Sequence, residues 1–444
     1  MSPVRKVAVA ILSWNGRRHL ETCLEALAAQ RDPGVEWEVL VLDNGSTDGT
    51  AAWMRQRWGS DRRFRLIESP VNLGFCAGNN RLVSAADADA VALLNNDTRP
   101  EPEWLGCLVD ALASAPPDVA AVSGKIVDWS GERLDFGRGL MTFDGHAFQL
   151  DFRRPLGAAR TPAAGEELAF ACGGNMLVRR ASFLESGGFD ERYFAYLEDV
   201  DLGWRLWSGG ERIVAAPAAV VRHRSSATSD LLGLYNRGFL FERNAFLTAY
   251  KNYEPGLWER ITPAVMLTLL ARTDALLAAN PGAEGLRVDP YAGHIANTAS
   301  SAPKAPSRAA ELPPITTWEG FAVRWRGYGP RELLRRGIGK LRGRVSPPPP
   351  AATEAPRLTD ERTVAQFRAL HWLVGHLDGA AEARAAVQRR RKRSDREIFE
   401  RFPVYLVPTY PGDEALFASP GFRAWFPEDL PVVRAKLEEI MEMG

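Results

Sequence analysis

A chain of 444 residues exceeds what one ordinary hydrophobic core holds, so two or three structural units are expected. Lys plus Arg balance Asp plus Glu at 55 each, which removes the global field that draws nucleic acid or an anionic membrane. Four cysteines (Cys23, Cys76, Cys107, Cys172) show no metal-ligand spacing and form no disulfide framework at this length, so they read as buried free thiols in a reducing compartment.

The first apolar run, Val7 to Leu12, is too short for a leader and stops at Ser13-Trp14-Asn15-Gly16. It fits a strand buried on both faces. Leu20, Cys23, Leu24 and Leu27 follow at helical spacing. Glu38 to Asp43 predicts a second strand, and Asn44 to Gly49 a turn able to cap the helix carrying Trp53 and Met54. Phe64 to Glu68 reads as strand, Phe75 to Ala86 as helix, and Ala90 to Leu94 as strand. This alternation predicts an α/β fold, a mostly parallel sheet with helices on both faces. In such sheets ligands sit outside the carboxyl ends of strands, where Asp43 and Asp97 each close an apolar run. No G-x-G-x-x-G or P-loop lysine is present, which disfavours a dinucleotide site or a P-loop NTPase. A diphosphate bound here needs a metal in place of a glycine cradle.

Further on, Tyr193-Phe194-Ala195-Tyr196-Leu197 leads into Glu198-Asp199-Val200-Asp201. Three carboxylates in four positions repel one another, and a fold keeps them where a cation or a proton-transfer task holds them; a solvated acidic turn is the plain alternative. From Asp230 the pattern turns helical, over Leu231 to Tyr250 and Glu259 to Ala279. The best membrane candidate, Ile261 to Ala279, is interrupted by Arg272 and Asp274, so the chain reads as cytoplasmic. Residues 281–314 read as a linker, Arg324 to Arg344 as a basic stretch and Pro347 to Pro350 as an extended spacer. Within the helical stretch Asp360 to Phe402, the run Gln388 to Arg393 reads as a solvated face; contact with anionic headgroups at the inner face of the plasma membrane is the functional alternative. The expected division is a catalytic domain over 1–228, a helical extension over 229–280, a Pro/Arg-rich linker over 281–359, and a helical segment with tail over 360–444.

Five blocks carry a resemblance. They are Ile11 to Gly16, Val41 to Thr50, Asn72 to Asn80, Leu93 to Thr98, and Gly187-Gly188-Phe189-Asp190 with the Glu198-Asp199 block and His223 beyond it. In this order they resemble the family-2 inverting glycosyltransferases of the GT-A fold, especially the rhamnosyltransferase-like branch of cell-surface polysaccharide assembly. The match covers residues 4 to about 228, and Glu242-Arg243-Asn244 resembles extensions seen in some of these enzymes.

The resemblance implies transfer of a sugar from a nucleotide diphosphate to a glycan or lipid-linked acceptor. dTDP-rhamnose is the donor it favours, with UDP- and GDP-sugars open. Asp97 and His223 match the metal-ligand positions, for Mn²⁺ or Mg²⁺. Asn95 replaces the first acid of the family's Asp-x-Asp motif and brings no charge. Asp199 matches the general base. Asp43 matches the residue at the nucleobase edge, with Asn15, Asn72, Asn95 and Asn96 also assigned to the nucleotide. Asn80, Gly174, Tyr196 and Glu198 are assigned to the donor or acceptor sugar, and Asp201 to an ion pair with Arg205. Two rivals stand beside this reading. One is a nucleotidyltransferase, which needs a Gly-rich loop and an activating lysine or arginine after the first strand, where Trp14-Asn15-Gly16-Arg17-Arg18 supplies only the arginines. The other is a non-catalytic sugar-nucleotide or glycan-binding protein, which has no reason to keep Asp199 beside a metal site.

Overall fold

The computed structural model describes residues 4–224, 233–278, 361–410 and 412–442; the expected linker, basic stretch and spacer between 281 and 350 lie outside them. The apolar runs form β1 (Lys6–Ser13), β2 (Glu36–Asn44), β3 (Phe64–Ser69) and β4 (Ala90–Asn95), all parallel, in the order β3-β2-β1-β4. The crossovers are α1 (Arg17–Ala28), α2 (Thr50–Trp58) and α3 (Gly74–Ala85). Val7 to Ile11, Val39 to Leu42 and Ala90 to Leu93 are buried, as strands covered on both faces require. The spacing read in α1 also holds, with Leu20, Cys23, Leu24 and Leu27 inward.

Beyond β4 the sheet is mixed. β5 (Thr98–Pro100), α4 (Trp104–Ser114), β6 (Val119–Asp128), β7 (Leu134–Phe136), β8 (Gly139–Thr142), β9 (Ala147–Gln149), β10 (Asn175–Arg179), α5 (Arg180–Glu185), α6 (Glu198–Ser208) and β11 (Arg212–His223) follow. β10 enters antiparallel between β4 and β6, and β11 runs parallel to β6 but antiparallel to β5. Parallel neighbours need a long crossover, usually a helix, and residues 129–174 supply hairpins and turns instead.

The C-terminal segment is mainly helical: α7 (Gly233–Asn252), α8 (Pro255–Ala278), α9 (Glu361–Gly375), α10 (Leu377–Arg390) and α11 (Asp395–Arg401). It also contributes β12 (Val404–Leu406) and β13 (Val432–Arg434) to a second sheet of order β13-β12-β8-β9. The tail thus completes a sheet begun near residue 139. In α8, Ile261, Ala264 and Val265 face inward, and buried Arg272 pairs with Asp144 (2.9 Å) and Asp413 (3.2 Å). Among the described residues no helix is long and apolar enough to cross a membrane.

The run Gln388 to Arg393 is a solvated face only in part. The Gln388 amide donates to the carbonyls of Lys251, Asn252 and Tyr253 (3.2–3.3 Å), Arg391 pairs with Asp395 (3.0 Å), and the Arg393 guanidinium donates to the Trp207 and Glu211 carbonyls (3.1 and 2.6 Å). The reason is the end of α6. Its last carbonyls lack helical partners and carry the negative end of the helix dipole, and the backbone N–H groups of Lys392 and Arg393 also donate to Ser208 there. Only Arg389, Arg390 and Lys392 remain exposed.

Candidate functional site

Strand pairing brings Asp97 and His223 together. β4 ends at Asn95, a two-residue turn carries Asn96 and Asp97, and β5 then pairs with β11 so that Thr98 lies opposite His223. The Asp97 Oδ1 to His223 Nε2 distance is 3.3 Å, and the Arg224 N–H donates to the Asp97 carbonyl (3.1 Å). On the other ring edge, His223 Nδ1 lies 2.7 Å from Oδ2 of Asp135, which β7 brings alongside the end of β6. Burial lowers the imidazole pKa, but the hydrogen bonds and charges of Asp135 and Asp97 outweigh it and raise it to about 10. Burial raises the Asp97 carboxyl, and the hydrogen bond and charge of His223 together with a backbone hydrogen bond outweigh it, holding it below the usual carboxylate range.

This pair fits a hard divalent cation. Adjacent ligands of an octahedral ion at about 2.1 Å are separated by about 3.0 Å, close to the Asp97–His223 spacing. A metal-bound histidine ordinarily donates its other N–H to a carboxylate, the position Asp135 holds. Among the described residues no group of three or more His, Cys, Asp or Glu is arranged as a complete cage, so phosphate and water oxygens would finish the shell.

The donor rim lies on the same edge, because Ser13 is in register with Asp43, and Leu12 with Asn95. Asp43 is buried and accepts from the Ser46 N–H (3.1 Å). Asn15, with φ 51°, accepts from the Thr47 N–H (2.8 Å), and the Asn96 amide donates to the Ser13 hydroxyl (3.0 Å). A Cβ on Gly16 would overlap that amide, which explains a glycine after Asn15. Asn72 accepts from the Asn44 amide and the Gly74 N–H (both 2.9 Å), bracing the entry to α3. Asn80 is the correction here. Its amide both donates to and accepts from the Phe189 peptide (2.8 Å each), so its polar atoms brace the Gly187–Asp190 turn and do not face a sugar.

The acid block begins α6. The Asp199 carboxylate accepts from the Gly173 N–H (3.1 Å) and from the Val200 N–H (2.9 Å). Gly174 accepts from the Asn95 N–H (3.3 Å), and a Cβ on it would meet the Asn95 side chain at 2.8 Å. Gly173-Gly174 therefore joins the acid block to the strand end that carries Asp97. Cys172, one residue earlier, has its thiol pKa raised well above the ordinary value by burial and then by the Asp199 charge. Tyr196 stacks on Phe241 (centroids 4.6 Å apart), and Asp201 pairs with Arg205 (2.9 Å) as the spacing implies.

Glu198 is buried, and its Oε2 has no hydrogen-bond partner among the described residues. Burial, then the Asp199 charge, pushes its carboxyl up to about 8; burial raises Asp199 as well. Two adjacent buried carboxyls do not both ionise easily, so at neutral pH Glu198 keeps the proton and can donate. A folded pKa above the unfolded value means stability is full below about pH 4.5 and falls as pH rises through about 8. Glu198→Gln should therefore melt higher than the parent at pH 8.5, by about 1–3 kcal/mol in stability, with a smaller gap at pH 5. A gap that does not change with pH in thermal melts would remove this account of Glu198.

Sequence reading missed two contributors. Asp135 was visible only as one acid inside the apolar triplet Leu134-Asp135-Phe136. Asn244 was noted in a motif without a role, although Leu240, Asn244 and Thr248 form a buried stripe at helical spacing, two of them polar.

Comparison with known proteins places the chain in a family. The family description "Glycosyl transferase family 2" matches residues 8–187. The chain is 34% identical over 238 residues to N-acetylglucosaminyl-diphospho-decaprenol L-rhamnosyltransferase of Mycobacterium tuberculosis, covering 49% of this chain and 76% of that one. It is 31% identical over 296 residues to the O-antigen biosynthesis protein RfbC of Myxococcus xanthus, covering 63% of this chain but only 22% of that longer protein. Among solved structures, the mannosyltransferase PcManGT from Pyrobaculum calidifontis, in complex with GDP-Man and Mn²⁺, aligns with a TM-score of 0.44 at 18% identity, covering 85% of this chain and 88% of that one. With the ordered strand-end residues and this breadth of match to a curated relative, the chain belongs to glycosyltransferase family 2, in its rhamnosyltransferase-like branch.

Proposed function

We propose that this protein is a metal-dependent, inverting transferase that moves a sugar, dTDP-rhamnose being the favoured donor, to a glycan or lipid-linked acceptor. The observation that carries the reading is the convergence on one sheet edge of the Asp97–His223 pair and of Asp199, tied together through Asn95 and Gly173-Gly174. The donor preference and the lipid-linked acceptor rest on the name of the mycobacterial relative.

In this reading Asp97 and His223 hold Mn²⁺ or Mg²⁺, which when bound supplies positive charge to the departing diphosphate. Asp43, Asn15, Asn72, Asn95 and Asn96 line or brace the nucleotide side. Gly174 lets the backbone approach the donor sugar, and Tyr196 and Glu198 border the acceptor. The acceptor hydroxyl attacks the anomeric carbon from the face opposite the diphosphate, and its proton passes to Asp199. The bond from the anomeric carbon to the diphosphate oxygen breaks, and the nucleoside diphosphate leaves with the electron pair. The configuration inverts. Asp199 suits this task because burial raises its basicity while two backbone N–H groups fix its direction.

The test is a panel of nucleotide sugars with and without Mn²⁺, read by melting shift and by nucleoside diphosphate release. At least one donor is expected to stabilise the protein only with the cation and to be turned over slowly by water. A donor bound equally well in chelator would remove the metal from the reading. The nucleotidyltransferase rival gains nothing from the loop after β1, Trp14-Asn15-Gly16-Arg17, which leads directly into α1.

A further inference from the structure

The turn that presents Asp199 is built against the preferences of its own residues. Phe194 (φ 62°), Tyr196 (φ 72°) and Leu197 (φ 63°) are three non-glycine residues in left-handed backbone within four positions. Each such residue costs roughly 1–3 kcal/mol and persists only where its surroundings over-determine it. Leu197 is the residue from which α6 starts, so Glu198 and Asp199 inherit their direction from this conformation.

The carbonyls of the turn show what holds it. The side-chain amide of Asn244, fully buried in α7, donates to the carbonyls of Tyr193 (3.1 Å), Ala195 (2.8 Å) and Tyr196 (2.7 Å). Two N–H groups serve three acceptors, so at least one is shared. The remaining carbonyl, of Phe194, accepts from the Phe75 and Cys76 N–H groups (2.6 and 3.1 Å) at the start of α3. The Asn244 Oδ1 accepts from Arg243 Nε (2.9 Å), whose guanidinium also donates to the Tyr193 carbonyl (2.7 Å) and lies over the Phe239 and Trp372 rings. Every polar atom of the Asn244 side chain is thus engaged. Farther along α7, Lys251 reaches Asp190 (2.6 Å) and Asp201 (2.8 Å), and Asn252 donates to Asp201 (2.9 Å). One helix from outside the expected catalytic domain therefore grips the acid segment at both ends.

We propose that Asn244 is a positioning residue of the transfer reaction: its amide enforces the left-handed turn that aims Asp199, so α7 is part of the catalytic unit. The inference rests on the functional reading above. Aspartate cannot replace it, since it has no N–H to donate. Glutamine is one methylene too long for a site closed by Arg243.

Asn244→Leu keeps the size of the side chain and removes its donors. The control is Thr248→Val, one turn along the same helix. It deletes the hydroxyl that contacts the Tyr193 phenol (2.9 Å) and touches no carbonyl of the turn. Both variants should melt lower. Only Asn244→Leu should lose kcat, by about 100-fold, as misplacement of a reacting group by an ångström does, with donor KM within about threefold. Amide hydrogen exchange of residues 194–200 should accelerate in that variant alone. Should the leucine chain fail to fold, Asn244→Ser keeps one donor, and its kcat should fall between those of the parent and Thr248→Val on one side and full loss on the other. Equal kcat losses in Asn244 and Thr248 variants of matched stability, or unchanged exchange across the turn, would overturn the proposal. Lack of turnover by the parent protein would instead overturn the functional reading, and the exchange measurement would still decide on the clamp.

Discussion

Asp199→Asn is expected to lower kcat by about 10²- to 10⁴-fold, the usual contribution of a positioned general base, with donor affinity within about threefold of the parent. The substitution preserves shape and one backbone-accepting oxygen, so the Gly173 contact that joins the acid block to the donor rim can persist. What it removes is the proton acceptor. The same assignment predicts the pH profile. Burial raises the Asp199 pKa, and activity needs the unprotonated form, so kcat/KM should fall on the acid side at a pH above the usual carboxylate range. Because Glu198 adjoins it, the limb belongs to the pair and not to either residue alone. Steady-state rates with a saturating donor, set beside calorimetric donor titrations, decide the matter. Parent-like turnover in the Asn variant would take the base role from Asp199.

Metal affinity is the second large effect. Asp97→Asn should weaken Mn²⁺ binding by about 100-fold or more, because it deletes the charged member of a two-residue ligand pair, and cation-dependent donor binding should vanish with it. Asp135→Asn should cost less, about 10- to 100-fold, since it alters only the group that aligns the imidazole. The series has a sign as well as a size. The ring is held between two carboxylates, and loss of Asp135 lowers the imidazole pKa while loosening its orientation. Titration of Mn²⁺ by electron paramagnetic resonance orders the two variants without any turnover. Were Asp135→Asn to bind as weakly as Asp97→Asn, Asp135 would have to be a ligand itself. Unaltered binding in Asp97→Asn would displace the metal site altogether.

Much of the first half of the fold was legible. The runs Val7 to Leu12, Val39 to Leu42 and Ala90 to Leu94 are apolar throughout, as a strand buried on both faces requires. Strand ends were therefore located, and with them Asp43 and Asp97. The second half was not legible, for an equally physical reason. β5, β7 and β9 have three residues each, too few to show a period of two, and β12 pairs with distant β8 on one side and β13 on the other. The Arg-rich run near 390 was legible only in part: Arg389, Arg390 and Lys392 are exposed as a solvated face requires, whereas Arg393 is drawn in by carbonyls at the end of α6, a helix more than 180 residues earlier in the chain.

By itself, then, the order of residues determined the α/β class, the edge of the sheet that carries Asp43 and Asp97, and the chemical types gathered there. Those follow from local rules: hydrophobic period, strand length, and short motifs whose backbone needs are specific. Tertiary structure alone decided that Asp135 stands behind His223, that Glu198 is buried with an unmatched oxygen, and that α7 props the turn before Asp199. The first and last of these depend on contacts between residues about 50 to 90 positions apart, and no local rule encodes which distant donor will meet a carbonyl whose conformation is itself unfavourable.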